Sequence, residues 1–172
     1  MKTLILLCCV LLVAAAAEAT GAIQTAGASI RLTSSERSVL TMVNHARTSR
    51  GLHSVRVVAS LEKAARSHSR DMIARDYFSH SSASGAAFSS RLRAFGYSPA
   101  GCTAYCVGEI IGYSSSSSAA RSVFRAWMRS PGHRSVILTR SFREVGVGAA
   151  KGSFCGRSGV TMFTVDFGHR VR

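Results

Sequence analysis

The chain has 172 residues and a formal net charge of +14, with 22 lysines and arginines set against 8 acidic residues. That length suits one domain large enough to bury a core without staples. The basic residues are scattered and not gathered in one tract, so no nucleic-acid-binding module is expected, and the absence of either usual Gly-rich phosphate loop excludes the common nucleotide-binding folds.

Lys2 precedes an apolar run from Leu4 to Ala17, followed by Ala17-Glu18-Ala19. A charged start, a short apolar stretch and a small-residue site are the marks of an export signal, here residues 1–19, cleaved near Ala19. The run is too short to cross a bilayer, which needs about 18 to 20 apolar residues, and nothing later is longer. The mature chain is therefore expected to be secreted to the extracellular side with no transmembrane anchor. Residues 20–32 read as a leader and 33–172 as the domain. Three cysteines lie beyond the signal: Cys102, Cys106 and Cys155. Export permits a disulfide, and the odd count leaves one thiol over. Cys102 and Cys106, read as parts of one loop, can bridge to each other, or either can reach Cys155.

Thr33 and Glu36 have the spacing of a capping box, and Val39, Met42, Val43 and Ala46 repeat at helical intervals until Gly51. Val55 to Val58 is a brief extended piece. Ser60 stands as cap to a second helix, with Leu61, Ala64, Ala65, His68 and Met72 on one face, ending near Asp76. His68 sits within that apolar face and reads as a core histidine with its ring nitrogens hydrogen-bonded. A third helix spans Gly85 to Phe95, closed by Gly96, and the serine-rich stretch from Gly112 to Ser118 reads as a loop and helix cap. In the fourth helix Ala120, Val123, Phe124, Trp127 and Met128 fill one arc, and Arg121, Arg125 and Arg129 form a stripe opposite, read as a solvated face. Val145 to Ala150 and Val160 to Phe167 read as a terminal antiparallel hairpin around a Gly-rich turn from Lys151 to Gly159. Helices first and strands last give an α+β class.

The chemistry gathers at three short stretches: Tyr77-Phe78-Ser79-His80-Ser81, Val107-Gly108-Glu109 and Trp127-Met128-Arg129-Ser130-Pro131-Gly132-His133-Arg134. If the fold brings His80, Glu109 and His133 together, two imidazoles and a carboxylate can hold a divalent metal such as zinc or move protons. Their wide separation rules out a local ligand motif, so the site depends on the fold.

These stretches, with Asn44-x-x-Arg47-x-x-x-Gly51-Leu52 before them and Val145-Gly146-Val147-Gly148 after, stand in the order seen in the CAP superfamily. This is the domain shared by cysteine-rich secretory proteins, antigen 5 and pathogenesis-related 1 proteins (the SCP domain), and the chain most resembles its bacterial secreted branch. The resemblance implies a three-layer α-β-α sandwich with a central, mostly antiparallel sheet, and a cleft of two histidines and two acids. His80, His133 and the first acid, Glu109, match that pattern. Where animal and plant relatives carry the second acid, this chain has Ser130, and Ile110 replaces an asparagine, which removes an amide partner for the cleft.

Three functions fit. The first is a cleft in which His80, Glu109 and His133 bind a divalent metal, zinc included, or a small ligand, with Ser130 beside them. The second is a peptidase-like extracellular hydrolase, with Ser79, Ser81 or Ser130 as nucleophile candidates and Cys106 a weaker one; no Gly-x-Ser-x-Gly elbow supports it. The third is a module for lipid or for an anionic cell-surface polymer, which the positive charge favours.

Overall fold

The computed structural model describes residues 30–171; the export signal of residues 1–19 and most of the leader lie outside them. The elements in chain order are α1 (Ser34–Thr48), β1 (Arg56–Val57), α2 (Ala59–Ala74), α3 (Phe88–Ala94), β2 (Ala104–Ser114), α4 (Ala119–Arg129), α5 (Pro131–Ile137), β3 (Glu144–Phe154) and β4 (Arg157–Val171). The four strands form one sheet in the order β1-β3-β4-β2. β1 runs parallel to β3, and the β3–β4 and β4–β2 pairs are antiparallel. Helices α1, α4 and α5 cover one face, and α2 and α3 the other, so the three-layer α+β sandwich is the observed fold.

α1 opens on the expected capping box: the Glu36 amide donates to the Thr33 hydroxyl at 3.3 Å, and the Thr33 amide donates to the Glu36 carboxylate at 2.8 Å. On that side of the sheet Val39 and Val43 of α1 meet Val123 and Trp127 of α4 over Val145, Val147, Phe163, Val165 and Phe167. α2 lies unusually close to β3, because Gly146 and Gly148 have no side chain to hold it off. A Cβ at either would run into the backbone of Leu61 and Glu62 or of Ala65 and Arg66.

Beyond its two-residue pairing with β1, the outer edge of β3 has no strand partner among the described residues. Two carboxylates take its place: Val147 N–H donates to Glu62 at 2.8 Å and Ala149 N–H to Glu36 at 3.3 Å. Arg47, fully buried, donates to the carbonyls of His53, Ile137, Thr139 and Phe142 at 2.7–3.0 Å. It thereby ties the end of α1 to the connection between α5 and β3. Asn44 fixes the start of β1, with its amide exchanging bonds with the backbone of Val55.

Several expectations need correction. β2 lies between α3 and α4, so the helices do not all precede the strands, although β3 and β4 do close the chain order. The period-2 pattern of β2 is broken by Gly108 and Gly112, where a Cβ would strike Phe142 and Val136, or Val123 and Trp127. Gly112 to Ser114 belong to this strand and not to a loop, as does Cys106, which separates it from Cys102 in the loop before; all three cysteines are free. Val58, not Ser60, is the N-cap of α2, and α3 begins at Phe88. Ser118 does stand at the N-cap of α4, but its side chain makes no capping bond. The Gly-rich segment is mostly strand, reversed by the two residues Cys155 and Gly156, both at positive φ. Pro131 starts the short α5, unread in the sequence. Among the described residues no helix is long and apolar enough to cross a membrane.

Candidate functional site

The loop after α2 carries His80, and three anchors hold it. Tyr77 donates its hydroxyl to Asp71 of α2 at 2.6 Å, and His68 bonds the Ser79 carbonyl through Nε2 at 2.8 Å. Arg91 of α3 reaches the His80 carbonyl at 3.4 Å and the Ser82 hydroxyl at 3.1 Å. His68 is the buried core histidine that its place on α2 implies. Burial first, and then the Arg91 charge, lower its pKa, which keeps the ring neutral with Nε2–H donating.

β2 turns Glu109 toward the α2–α3 side of the sheet, where its side chain has no solvent exposure. One carboxylate oxygen accepts from His80 Nδ1 at 2.8 Å, and the other pairs with Arg91. His80 itself is half exposed, so the pair joins a buried anion to a ring at the surface. Alternation along the strand sends Ile110 the other way, into the core under α4. Its replacement of asparagine therefore leaves the Glu109 pocket untouched, contrary to the expectation of a lost amide partner.

His133 stands in the first turn of α5, and its Nδ1 meets the Ser130 hydroxyl at 2.8 Å, from N-cap residue to third helical residue. Burial first, then the His80 ring, lower its pKa. Thus His80 and Glu109 are in contact, while His133 lies within electrostatic reach of His80 and bonds Ser130. Ser79 accepts from the Ser81 amide at 3.1 Å. The contact between a serine hydroxyl and a histidine ring therefore falls on the ring that Glu109 does not hold, and among the described residues no serine hydroxyl, histidine ring and acid are bonded directly in that order.

Both oxygens of Glu109 are engaged, so it does not fit as a direct metal ligand beside the two histidines. Among the described residues no three His, Cys, Asp or Glu side chains are grouped to hold a metal ion. What remains is a pair of imidazoles, each held at Nδ1 with Nε2 free of a partner among the described residues, and Glu109 fits as the outer carboxylate behind His80.

Two members of the site escaped the sequence reading. Arg91, 8 % exposed, is the cation that fixes Glu109. Asp166 of β4 is the direct cross-strand partner of Glu109, wholly buried, with no hydrogen-bond partner for either oxygen among the described residues. Burial, and then the Glu109 carboxylate, push its pKa well above the usual carboxylate range. No local motif marks either residue. Only the β2–β4 register brings the second carboxyl to the first.

The family model described as "Cysteine-rich secretory protein family" matches residues 40–167. An uncharacterized protein, YkwD of Bacillus subtilis, is 32% identical over 134 residues, which cover 78% of this chain and 49% of that protein. The chain thus spans about half the length of that curated relative. Among solved structures, an outer surface protein of Borrelia burgdorferi aligns with a TM-score of 0.67 at 18% identity, over 82% of this chain and 96% of that one. An extracellular SCP-domain protein of Bacillus anthracis gives 0.65 at 23% identity, over 82% and 45%. With three quarters of its length matched by the family model, and the Tyr77–His80, Gly108–Glu109 and Gly132–His133 stretches placed around one end of the same sandwich, the chain belongs to the CAP (cysteine-rich secretory protein) family.

Proposed function

We propose that this is an exported protein whose cleft beside β2 binds a divalent cation such as zinc, or a small polar ligand in its place, through His80 and His133. The observation that carries this reading is the 2.8 Å bond from His80 Nδ1 to a buried Glu109 that Arg91 fixes from behind. A carboxylate in that position sets the tautomer and orientation of the ring and raises the basicity of Nε2. Ser130 does the same for the second ring with a weaker, neutral partner. A bound cation would polarise an oxygen of its ligand. The lowered pKa of His133, from burial and then the His80 ring, favours the neutral form that can coordinate a cation.

Calorimetric titration of zinc into the purified protein tests the reading. His80→Ala and His133→Ala are each expected to abolish measurable binding, and Glu109→Gln to weaken it about 10- to 100-fold, as loss of an outer-shell partner does. Equal affinity in the wild type and both histidine variants would end the proposal. Export is tested by sequencing the N-terminus of the protein recovered outside the cell, with a start near Thr20 expected.

A further inference from the structure

The fold separates charge by sign. Among the described residues, Glu36, Glu62, Glu109, Glu144 and Asp166 are buried, and Asp71 is tied to Arg75. Asp76 is the single exposed acid among them, against fifteen exposed lysines and arginines. Soluble domains ordinarily intersperse the two signs on their surface. Here nearly all the acidic residues described lie inside the sandwich, and the described exterior is almost purely cationic.

That charge is shaped at one place. A groove of about 900 Å³ runs between the start of α1 and the start of α4. Its lining includes Arg37, Arg121 and Lys151, with hydroxyls from Ser38, Thr41 and Ser116, and no acid and no aromatic ring. Arg121 also begins the ridge Arg121, Arg125, Arg129 on the solvent side of α4, all exposed and none paired with an acid among the described residues. Four helical residues advance the ridge by about 6 Å, so a chain leaving the groove meets one guanidinium per turn. Guanidinium forks match phosphate oxygens, and hydroxyls match those of a polyol.

We infer that this groove and the α4 ridge together bind a linear polymer of phosphodiester-linked polyols. The lining has no ring on which a base can stack, which disfavours a nucleic acid. The exposed aromatic residues Phe78, Phe95 and Tyr113 belong to the α2–α3 side, and Phe124 of α4 is partly buried against the core, which disfavours insertion into a bilayer from the ridge. The histidine cleft plays no part in this binding.

The test uses long-chain inorganic polyphosphate as a base-free linear polyanion, followed by fluorescence anisotropy from about 50 to 300 mM salt. Replacing Arg121, Arg125 and Arg129 together by glutamine is expected to weaken binding about tenfold or more at physiological salt and to lower the log–log salt slope by about 2. A control of equal charge change, Lys63→Gln with Arg70→Gln and Arg93→Gln, is expected to keep the affinity within about twofold, as is His80→Ala. Arg125→Gln alone is expected to show a smaller loss in the same direction, which guards against misfolding of the triple variant. Equal weakening by both triple variants would reduce the effect to net charge and overturn the inference. So would absence of polyphosphate binding, tighter binding of an oligothymidylate of equal charge, or capture by vesicles of about 30% phosphatidylglycerol in phosphatidylcholine at a salt concentration that releases polyphosphate.

Discussion

Glu109 and Asp166 face each other across β2 and β4, one paired with His80 and Arg91, the other buried without a donor among the described residues. Two adjacent carboxyls in a site closed to water do not both ionise, and the one with cationic company takes the charge. Asp166 accordingly serves as a neutral acid packed against the anion that orients His80.

An asparagine in place of Asp166 would keep that shape without a titrating proton. In native protein the raised pKa of Asp166 means that stability is fully present below the unfolded carboxylate pKa and is lost as pH climbs through the native value. Asp166→Asn is expected to be at least as stable as wild type at neutral pH and to show a flatter pH dependence, measured by urea unfolding from about pH 4 to 8. Asp166→Ala, which leaves a cavity beside a buried anion, is expected to be less stable at every pH. A wild type whose stability does not fall relative to Asp166→Asn between about pH 4 and 8 would mean that the native carboxyl is already ionised and not held as the neutral acid.

Glu62 behaves similarly at the outer edge of β3. Burial raises its pKa to about 7, although Val147 N–H and Arg66 work the other way. The unfolded group ionises near pH 4.5, so the native state loses stability between that pH and about 7, by roughly 3 kcal/mol. Glu62→Gln keeps an acceptor for Val147 and is expected to remove most of that slope in the same unfolding series.

Arg47 bonds four carbonyls on two segments, three of them 90 or more residues away in sequence. Arg47→Met would strand the buried Ile137 carbonyl, at about 1–3 kcal/mol, and take a donor from the partly buried His53 and Thr139 carbonyls and from Phe142, which keeps Arg143. The variant is expected to melt well below wild type, with hydrogen exchange first accelerated in the connection between α5 and β3. Arg47→Lys, lacking the planar fork, is expected to recover only part of the loss.

Gly148→Ala places a methyl group inside the backbone of Ala65 and Arg66. Backbone cannot step aside as a side-chain tip does, so a loss of about 3 kcal/mol or more, or failure to fold, is expected. Gly156→Ala, in the exposed hairpin turn with open space around it but a positive φ, is expected to cost only about 1 kcal/mol. Thermal melts of the two variants side by side check the contrast.

The ends of elements were legible where local chemistry makes them. The Thr33–Glu36 capping box and the apolar arc from Ala120 to Met128 each lie within a few turns of chain, and both stand in the structure as read. β2 was hidden because Gly108 and Gly112 serve contacts to Phe142 and Trp127 that come later in sequence. The same reason hid the site's inner layer: His80 and Glu109 carry recognisable neighbours, whereas Arg91 and Asp166 gain their roles only from α3 packing and strand register. Ile110 was misjudged because its neighbour Glu109 is in the site, and one step along a strand reverses the face.

The carboxylates of Glu62 and Glu36 that accept from Val147 and Ala149 have a consequence for the molecule among its own kind. A bare flank of backbone amides is a template on which a second chain can lay a strand and start a fibre. Here those amides are already taken, by groups that cannot be copied into a growing ladder. At high concentration a second molecule finds no open amide at Val147 or Ala149 on which to begin such a ladder.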